Sequence, residues 1–183
     1  MTGRLIGVVG PSGVGKDSVM AGLAAEPRFT IARRVITRAP ELGGEDYDPV
    51  SEAVFEQMIA RDAFCLHWRA HGLSYGIPVA VAVQVEAGGE VLVNLSRSVL
   101  RIAQKRFARF VVLNITAAPE TLAARLAARG RESDAEIGRR LSRATYPLPD
   151  GVPILSIAND GALNETVAAA RARLALEPLE EKR

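Results

Sequence analysis

Residues 10–16 read Gly-Pro-Ser-Gly-Val-Gly-Lys and stand between an apolar run and a stretch of helical periodicity. The run before them, Arg4-Leu-Ile-Gly-Val-Val-Gly10, is short, rich in β-branched residues and closed by glycine, as a buried parallel strand is. After them Val19, Met20, Leu23 and Ala24 recur at helical spacing until Pro27 stops the pattern. Strand, glycine loop and helix in this order make the phosphate-loop pattern through its lysine. Glycines let successive backbone N–H groups turn inward around phosphate oxygens, the helix aims its positive end at them, and Lys16 reaches the β- and γ-phosphates. Gly10, Pro11, Ser12, Gly13, Val14, Gly15, Lys16, Asp17 and Ser18 are therefore the expected ATP-binding residues, with Lys16 also catalytic. The pattern asks for Ser or Thr directly after the lysine to hold Mg²⁺, yet Asp17 stands there and the hydroxyl follows at Ser18. A carboxylate repels a triphosphate unless a cation lies between them, so Asp17 is the expected Mg²⁺ ligand. Its place in the first helical turn also suits its charge.

Further strands are predicted at 29–36, 90–95, 109–115 and 153–158, and helices at 51–61, 77–87, 97–107, 119–129, 134–145 and 161–175. Strands alternating with helices give a parallel sheet flanked by helices, an α/β fold of the P-loop type. The whole chain, 1–183, reads as a single P-loop domain with two elaborations: an insert at 33–85 and an arginine-dense stretch at 125–143.

Composition narrows the function classes. Only Lys16, Lys105 and Lys182 are lysine, so 20 of the 23 basic residues are arginine, and 21 acidic residues leave a net charge of +2. A GC-rich genome produces such a bias, but arginine is also the side chain whose planar fork matches phosphate oxygens two at a time. Both explanations stay open at this level. Aromatic residues are 5% of the chain, which argues against a nucleic-acid surface of interleaved cations and rings. No apolar run approaches the roughly 20 residues that cross a bilayer, so no membrane association is expected. A lone Cys65 excludes an internal disulfide, and the expected compartment is the cytoplasm. Homodimerisation is left open.

Several further pieces fall in a specific order. Thr37-Arg38-Ala-Pro40 is followed by Asp46-Tyr47, then His71-Gly-Leu-Ser-Tyr-Gly76, then Arg125-Leu-Ala-Ala-Arg129-Gly130 leading to Arg139-Arg140-Leu141, and finally Ala158-Asn159-Asp160. With the phosphate loop, this set resembles the guanylate kinase family from about residue 5 to 175. The resemblance implies that 33–85 binds the phosphorylated acceptor and 125–143 is the lid. It also implies that Arg38, Tyr47 and Tyr75 hold the acceptor's phosphate, that Arg129 and Arg140 close catalytically on the moving phosphoryl group, and that Asn159 touches adenine.

Departures from that family bear on the acceptor. A second arginine expected after Thr-Arg-x-Pro is replaced by Glu41; the glutamate that reads guanine corresponds to His67, before Trp68; the second guanine contact corresponds to Ile77. Losing both partners costs a base-reading site several powers of ten in discrimination, so guanosine monophosphate is not the expected acceptor. The chain is similar instead to the ribose 1,5-bisphosphate phosphokinases, guanylate-kinase-like enzymes carrying Gly-Lys-Asp-Ser in the loop, as residues 15–18 do here. That likeness implies phosphoryl transfer from ATP to a phosphorylated sugar, giving 5-phosphoribosyl 1-diphosphate in phosphonate breakdown. The pair Arg33-Arg34 adds charge for a substrate with two phosphates and no base. Arg34, Arg38, Tyr47, His67, Tyr75, Asn94 and Arg97 are the candidate substrate residues, the last two because Asn94-Leu-Ser-Arg97 ends a strand at the edge of the expected site. Two other readings remain at this level: a guanylate kinase with unusual base recognition, and a non-catalytic binding module, to which the intact loop is opposed.

The acceptor nucleophile of such a reaction is a phosphate oxygen, ionised at neutral pH, so no general base is required. Catalysis then reduces to aligning two polyanions and neutralising the charge spread over the moving group. Arg129→Ala and Arg140→Ala are expected to lower kcat by about 10³-fold or more, as the loss of an arginine at a phosphoryl-transfer transition state does, with little change in urea stability. Near-wild-type turnover in both variants contradicts this assignment.

Overall fold

The computed structural model describes residues 3–39, 46–128 and 147–176. Helix α1 (Lys16–Ala24) follows β1 (Arg4–Val9), and β2 (Phe29–Ile31), β3 (Arg34–Ile36) and β4 (Tyr47–Pro49) come next. Helix α2 (Glu52–Ala60) leads to the hairpin of β5 (Phe64–Ala70) and β6 (Leu73–Pro78), then to α3 (Val79–Glu86) and β7 (Glu90–Asn94). A 3₁₀ turn (Arg97–Val99), α4 (Leu100–Arg106), β8 (Phe110–Thr116), α5 (Pro119–Ala128), β9 (Ile154–Ala158) and α6 (Leu163–Leu176) complete the order.

Five strands form one parallel sheet in the order β2-β7-β1-β8-β9. Its strands are apolar at successive positions because both faces are buried. Leu5, Val9, Val91, Val93, Phe110 and Val112 pack on one face with residues of α3 and α4. Ile6, Val8, Leu92, Val111, Leu113, Leu155 and Ile157 pack on the other with Val19, Met20 and Leu23 of α1 and Val167, Ala170 and Leu174 of α6. Gly22 makes the close approach of α1 and α6 possible, since a Cβ there would lie 2.5 Å from Val167.

A second, four-stranded sheet, β4-β3-β6-β5, is built wholly from the insert. Here β3 runs parallel to β4 and antiparallel to β6, which is antiparallel to β5. Leu66 and Ile77 of this sheet belong to the same apolar cluster as Leu5 and Val93 of the first, so the two sheets share a core.

The strand predicted over 29–36 is two strands in two sheets. Ala32 N–H still donates to Leu92 O at 2.8 Å, and the chain then leaves the parallel sheet, so Arg34–Ile36 pair with β4 and β6 instead. The helix predicted over 97–107 opens as the 3₁₀ turn. Strands β4, β5 and β6 carry no sequence-level expectation; in β5 an extra residue between Phe64 and Leu66 shifts the register and breaks the alternation that would have announced it. The helix predicted at 134–145 lies outside the described residues.

At the amino edge of the parallel sheet, Arg4 is buried. Its guanidinium donates to both carboxylate oxygens of Glu90 at 2.9 and 3.0 Å and to Leu174 O at 3.1 Å, which fastens the end of α6 to β1 and β7. Removing the carboxylate leaves a buried cation without its counter-charge. Glu90→Ala is expected to cost about 3 kcal/mol, seen as a lower urea midpoint, with substrate KM values unchanged because the pair sits at the edge opposite the phosphate loop.

Candidate active site

The phosphate loop leaves β1 at the carboxyl edge of the parallel sheet, where an open α/β sheet binds its ligands. Gly13 and Gly15 take left-handed φ values of 82° and 93°, which let the loop curl before α1. Lys16 Nζ donates to Gly10 O at 3.0 Å and Pro11 O at 3.1 Å, which holds the ammonium over the loop. Asp17 and Ser18 lie exposed on the first turn of α1.

Beside the loop opens a cleft of about 770 Å³ lined from three directions. Gly10, Pro11, Ser12 and Lys16 come from the loop, Asn94, Leu95, Ser96 and Arg97 from the end of β7, and Arg34, Trp68 and Tyr75 from the second sheet, with Arg38 just beyond β3. Its charged lining is cationic throughout: Lys16, Arg34, Arg38 and Arg97 face it, and no Asp or Glu is among the lining residues described. Burial draws the Arg97 guanidinium below its ordinary pKa, yet an arginine stays charged at neutral pH.

Strand alternation decides which insert residues reach this cleft. Ile36 and Tyr75 are cross-strand partners, as are Trp68 and Tyr75, so these residues share one sheet face. Trp68 and Tyr75 stack with centroids 5.3 Å apart and planes 7° apart, and the Arg34 guanidinium lies 5.0 Å from the Tyr75 centroid. Arg34 is buried against these rings, a geometry that favours a planar cation. Arg38 leaves the sheet at the cleft mouth because Thr37 stays tied to β6: Thr37 N–H donates to Ser74 O, and Ser74 N–H donates to Thr37 Oγ1.

Several sequence expectations are redirected. Arg33 does not join Arg34; it faces the other side, where it pairs with Asp46 at 3.1 Å and Asp48 at 2.9 Å. His67 does not line the cleft: one residue out of phase with Trp68, it is exposed, with its ring 6.4 Å from that of Phe64. Tyr47 is buried behind the cleft wall; its hydroxyl donates to Ala39 O at 2.8 Å and its ring lies 5.6 Å from the Arg38 guanidinium, so it braces Arg38. Asn159 is buried with both ends of its amide engaged, Nδ2 donating to Val14 O at 2.7 Å and Oδ1 accepting from Thr166 Oγ1 at 2.8 Å. The amide thus ties the underside of the loop to α6. Arg129 and Arg140 lie outside the described residues.

Other contributors were passed over in the sequence. Trp68 pairs with Tyr75 across the hairpin, a juxtaposition visible only once the register is known. His71 sits in the hairpin turn with φ 54° and also lines the cleft. Arg125 Nη1 donates to Val14 O at 3.4 Å, bringing α5 onto the loop.

Among the described residues no cluster of three or more His, Cys, Asp or Glu side chains forms a metal cage. A single carboxylate at Asp17 with a neighbouring Ser18 hydroxyl fits Mg²⁺, which keeps its waters and takes its remaining oxygens from substrate phosphates.

The guanylate kinase family model matches residues 2–151. The chain is 56% identical to a ribose 1,5-bisphosphate phosphokinase of Ruegeria sp. strain TM1040, over 96% of this chain and 93% of that protein. It is 45% identical to a protein of the same description from Agrobacterium fabrum, over 88% and 90% of the two chains. It is also 42% identical to a bifunctional ribose 1,5-bisphosphokinase-thymidine phosphorylase of Cupriavidus pinatubonensis, over 91% of this chain and 28% of that one. Among solved structures, the fold is similar to a guanylate kinase from Anaplasma phagocytophilum, with a TM-score of 0.62 at 19% identity over 98% of this chain and 88% of that chain. A gluconokinase from Sinorhizobium meliloti shares it with a TM-score of 0.55 at 17% identity, over 95% and 92% of the two chains.

Asp160, next to Asn159, pins β9 to the start of α5. Its carboxylate accepts from Ala118 N–H at 2.7 Å, and that bond, helped by the Thr121 side chain and the charge of Arg125, holds its pKa below the usual value. A carboxyl with a depressed folded-state pKa adds stability above its unfolded pKa of about 4 and loses it as pH falls through the folded value. The stability difference between the wild type and Asp160→Asn is therefore expected to be largest near neutral pH and to shrink in melts taken below about pH 4.

Proposed function

This chain belongs to the guanylate kinase family and, within it, to the ribose 1,5-bisphosphate phosphokinases, and from that premise we propose how its cleft moves the γ-phosphoryl group of ATP onto ribose 1,5-bisphosphate. The observation that carries the proposal is the lining: Lys16, Arg34, Arg38 and Arg97 around one cleft, with no carboxylate among its described residues. Such a wall suits an acceptor that carries phosphates and has no base to be read. Neither guanine-reading position presents a polar group to the cleft, since Ile77 is fully buried and His67 faces away. This weighs against guanosine monophosphate.

In this scheme an ionised oxygen of the sugar's 1-phosphate attacks the γ-phosphorus of ATP. The new P–O bond forms as the β,γ-bridging bond breaks, giving ADP and 5-phosphoribosyl 1-diphosphate. No proton has to be removed from the nucleophile, so the chain's work is alignment and charge neutralisation. Lys16 and the loop amides take the ATP phosphates. Arg34, rigid against the Trp68–Tyr75 stack, and Arg38, braced by Tyr47, take the acceptor from the insert side. Asn94 and Arg97 take it from the end of β7. Arg129 and Arg140 neutralise the moving phosphoryl group. Asp17, with Ser18, holds Mg²⁺, which neutralises phosphate charge when bound. Phosphonate breakdown is the setting that the likeness to these kinases implies for the reaction.

The test is product identification by ³¹P NMR after incubation with ATP, Mg²⁺ and ribose 1,5-bisphosphate, with guanosine monophosphate in parallel. Coupled diphosphate signals are expected from the sugar alone; no such signals, or faster turnover of guanosine monophosphate, refutes the proposal. Arg34→Met and Arg38→Met are expected to raise the acceptor KM about 10- to 100-fold, the range for a lost hydrogen bond to a charged group, while the KM for ATP stays within about twofold.

A further inference from the structure

We propose that Asn159 and Thr166 form a buried positioning relay that aims the amide of Gly15 at the nucleotide's phosphates, so that Asn159 acts on the loop and not on the base. The inference rests on the reading of residues 10–16 as a phosphate-binding loop and goes beyond it; it does not depend on which acceptor the enzyme uses.

The relay is continuous and closed to solvent. Thr166, on the first turns of α6, donates its hydroxyl to Asn159 Oδ1 at 2.8 Å, and Asn159 Nδ2 donates to Val14 O at 2.7 Å. Thr166 and Asn159 are each 4% exposed and Val14 is fully buried. The acceptor at the loop sets the sense of both bonds. An amide has one donating and one accepting end, and a carbonyl only accepts, so Val14 O draws the NH₂ to the loop and leaves Oδ1 to accept from the Thr166 hydroxyl. Asn159 is itself anchored, since its backbone N–H donates to Thr116 O at 2.8 Å at the end of β8.

What the relay holds is one peptide plane. A trans peptide is planar, so the carbonyl of residue 14 and the N–H of residue 15 point in opposite directions, and no cis peptide occurs among the described residues. Drawing Val14 O down onto Asn159 therefore turns Gly15 N–H up, away from β9 and α6 and into the concave side of the loop. Arg125 supports the same carbonyl at 3.4 Å. Residue 15 must be glycine for the relay to close: its φ is 93°, and a Cβ would stand 2.7 Å from Asn159 Nδ2. A free peptide plane rotates at little cost, whereas a phosphate site gains from donors already fixed in direction.

Inorganic tripolyphosphate, which has the phosphates of ATP and no base, separates the two roles. Isothermal titration calorimetry on the full chain is expected to show its Kd raised about 10-fold or more in Asn159→Asp, where a carboxylate faces the Val14 carbonyl, and several-fold in Thr166→Val, in line with the loss of hydrogen bonds serving a charged ligand. Thr166→Ser, which keeps the hydroxyl, is expected to restore wild-type affinity. The ratio of kcat/KM for ATP to that for GTP is expected to stay within about threefold of wild type in every variant, well inside one power of ten or 1.4 kcal/mol. Unchanged tripolyphosphate affinity in Asn159→Asp together with a collapsed ATP:GTP ratio overturns the proposal and makes Asn159 a base contact. If Asn159→Asp does not fold, a folded Thr166→Val that binds tripolyphosphate like the wild type overturns it alone. Because the titration contains no acceptor, failure here is distinct from failure to convert ribose 1,5-bisphosphate.

Discussion

Everything at the site depends on the burial of one strand. All six residues of β1 are buried, and its backbone is paired on both edges, by β7 and β8. A strand so enclosed has its position and direction set by neighbours on all sides, and the loop that follows inherits that precision. Because β7, β8 and β9 run parallel to β1, their carboxyl ends lie at the same edge. Asn94, Arg97 and Asn159 are thereby carried to the phosphate loop from positions far apart in the chain.

Charge is distributed on a second principle. A net charge of +2 gives no hint of a cationic cleft, because carboxylates elsewhere offset it and several of them pair with arginines away from the cleft. Arg4 is matched by Glu90, Arg28 and Arg171 by Glu26, Arg33 by Asp46 and Asp48, and Arg69 by Glu52 and Glu56. The cleft is different in kind, since its lining holds arginines and a lysine and no described carboxylate. Arg34 is the most constrained of them. Its burial against two stacked rings limits the rotamer freedom that a flexible cation would otherwise lose when it meets a phosphate.

The local parts of this architecture were legible in the chain. The strand-loop-helix start, most of the helices and the strands β7, β8 and β9 of the parallel sheet follow from apolar runs and helical spacing, and they stand close to where those patterns end. Less legible was the second sheet. Its strands β3 and β4 are three residues each, too short for a period-two pattern to register, and β5 is broken by an extra residue near Cys65. The same shortness hid the split of 29–36, since one continuous run serves two sheets. Among the candidate site residues, the loop and Arg34, Arg38, Tyr75, Asn94 and Arg97 come together on one cleft. Arg33 and His67 fall on opposite faces from Arg34 and Trp68, because a shift of one residue in a strand reverses the side.

The sequence by itself determined the phosphate loop, the helix behind it and the class of fold, because each rests on contacts between residues a few positions apart: glycine conformation, helical spacing, a β-branched run. The tertiary structure alone decided which face each insert residue presents, which arginines meet carboxylates and which meet the cleft, and that the amide of Asn159 bonds Val14. Those outcomes depend on strand register and on the packing of α5, α6 and β9 against the loop, contacts between residues more than a hundred positions apart. No local pattern in the chain encodes the phase at which such distant elements meet.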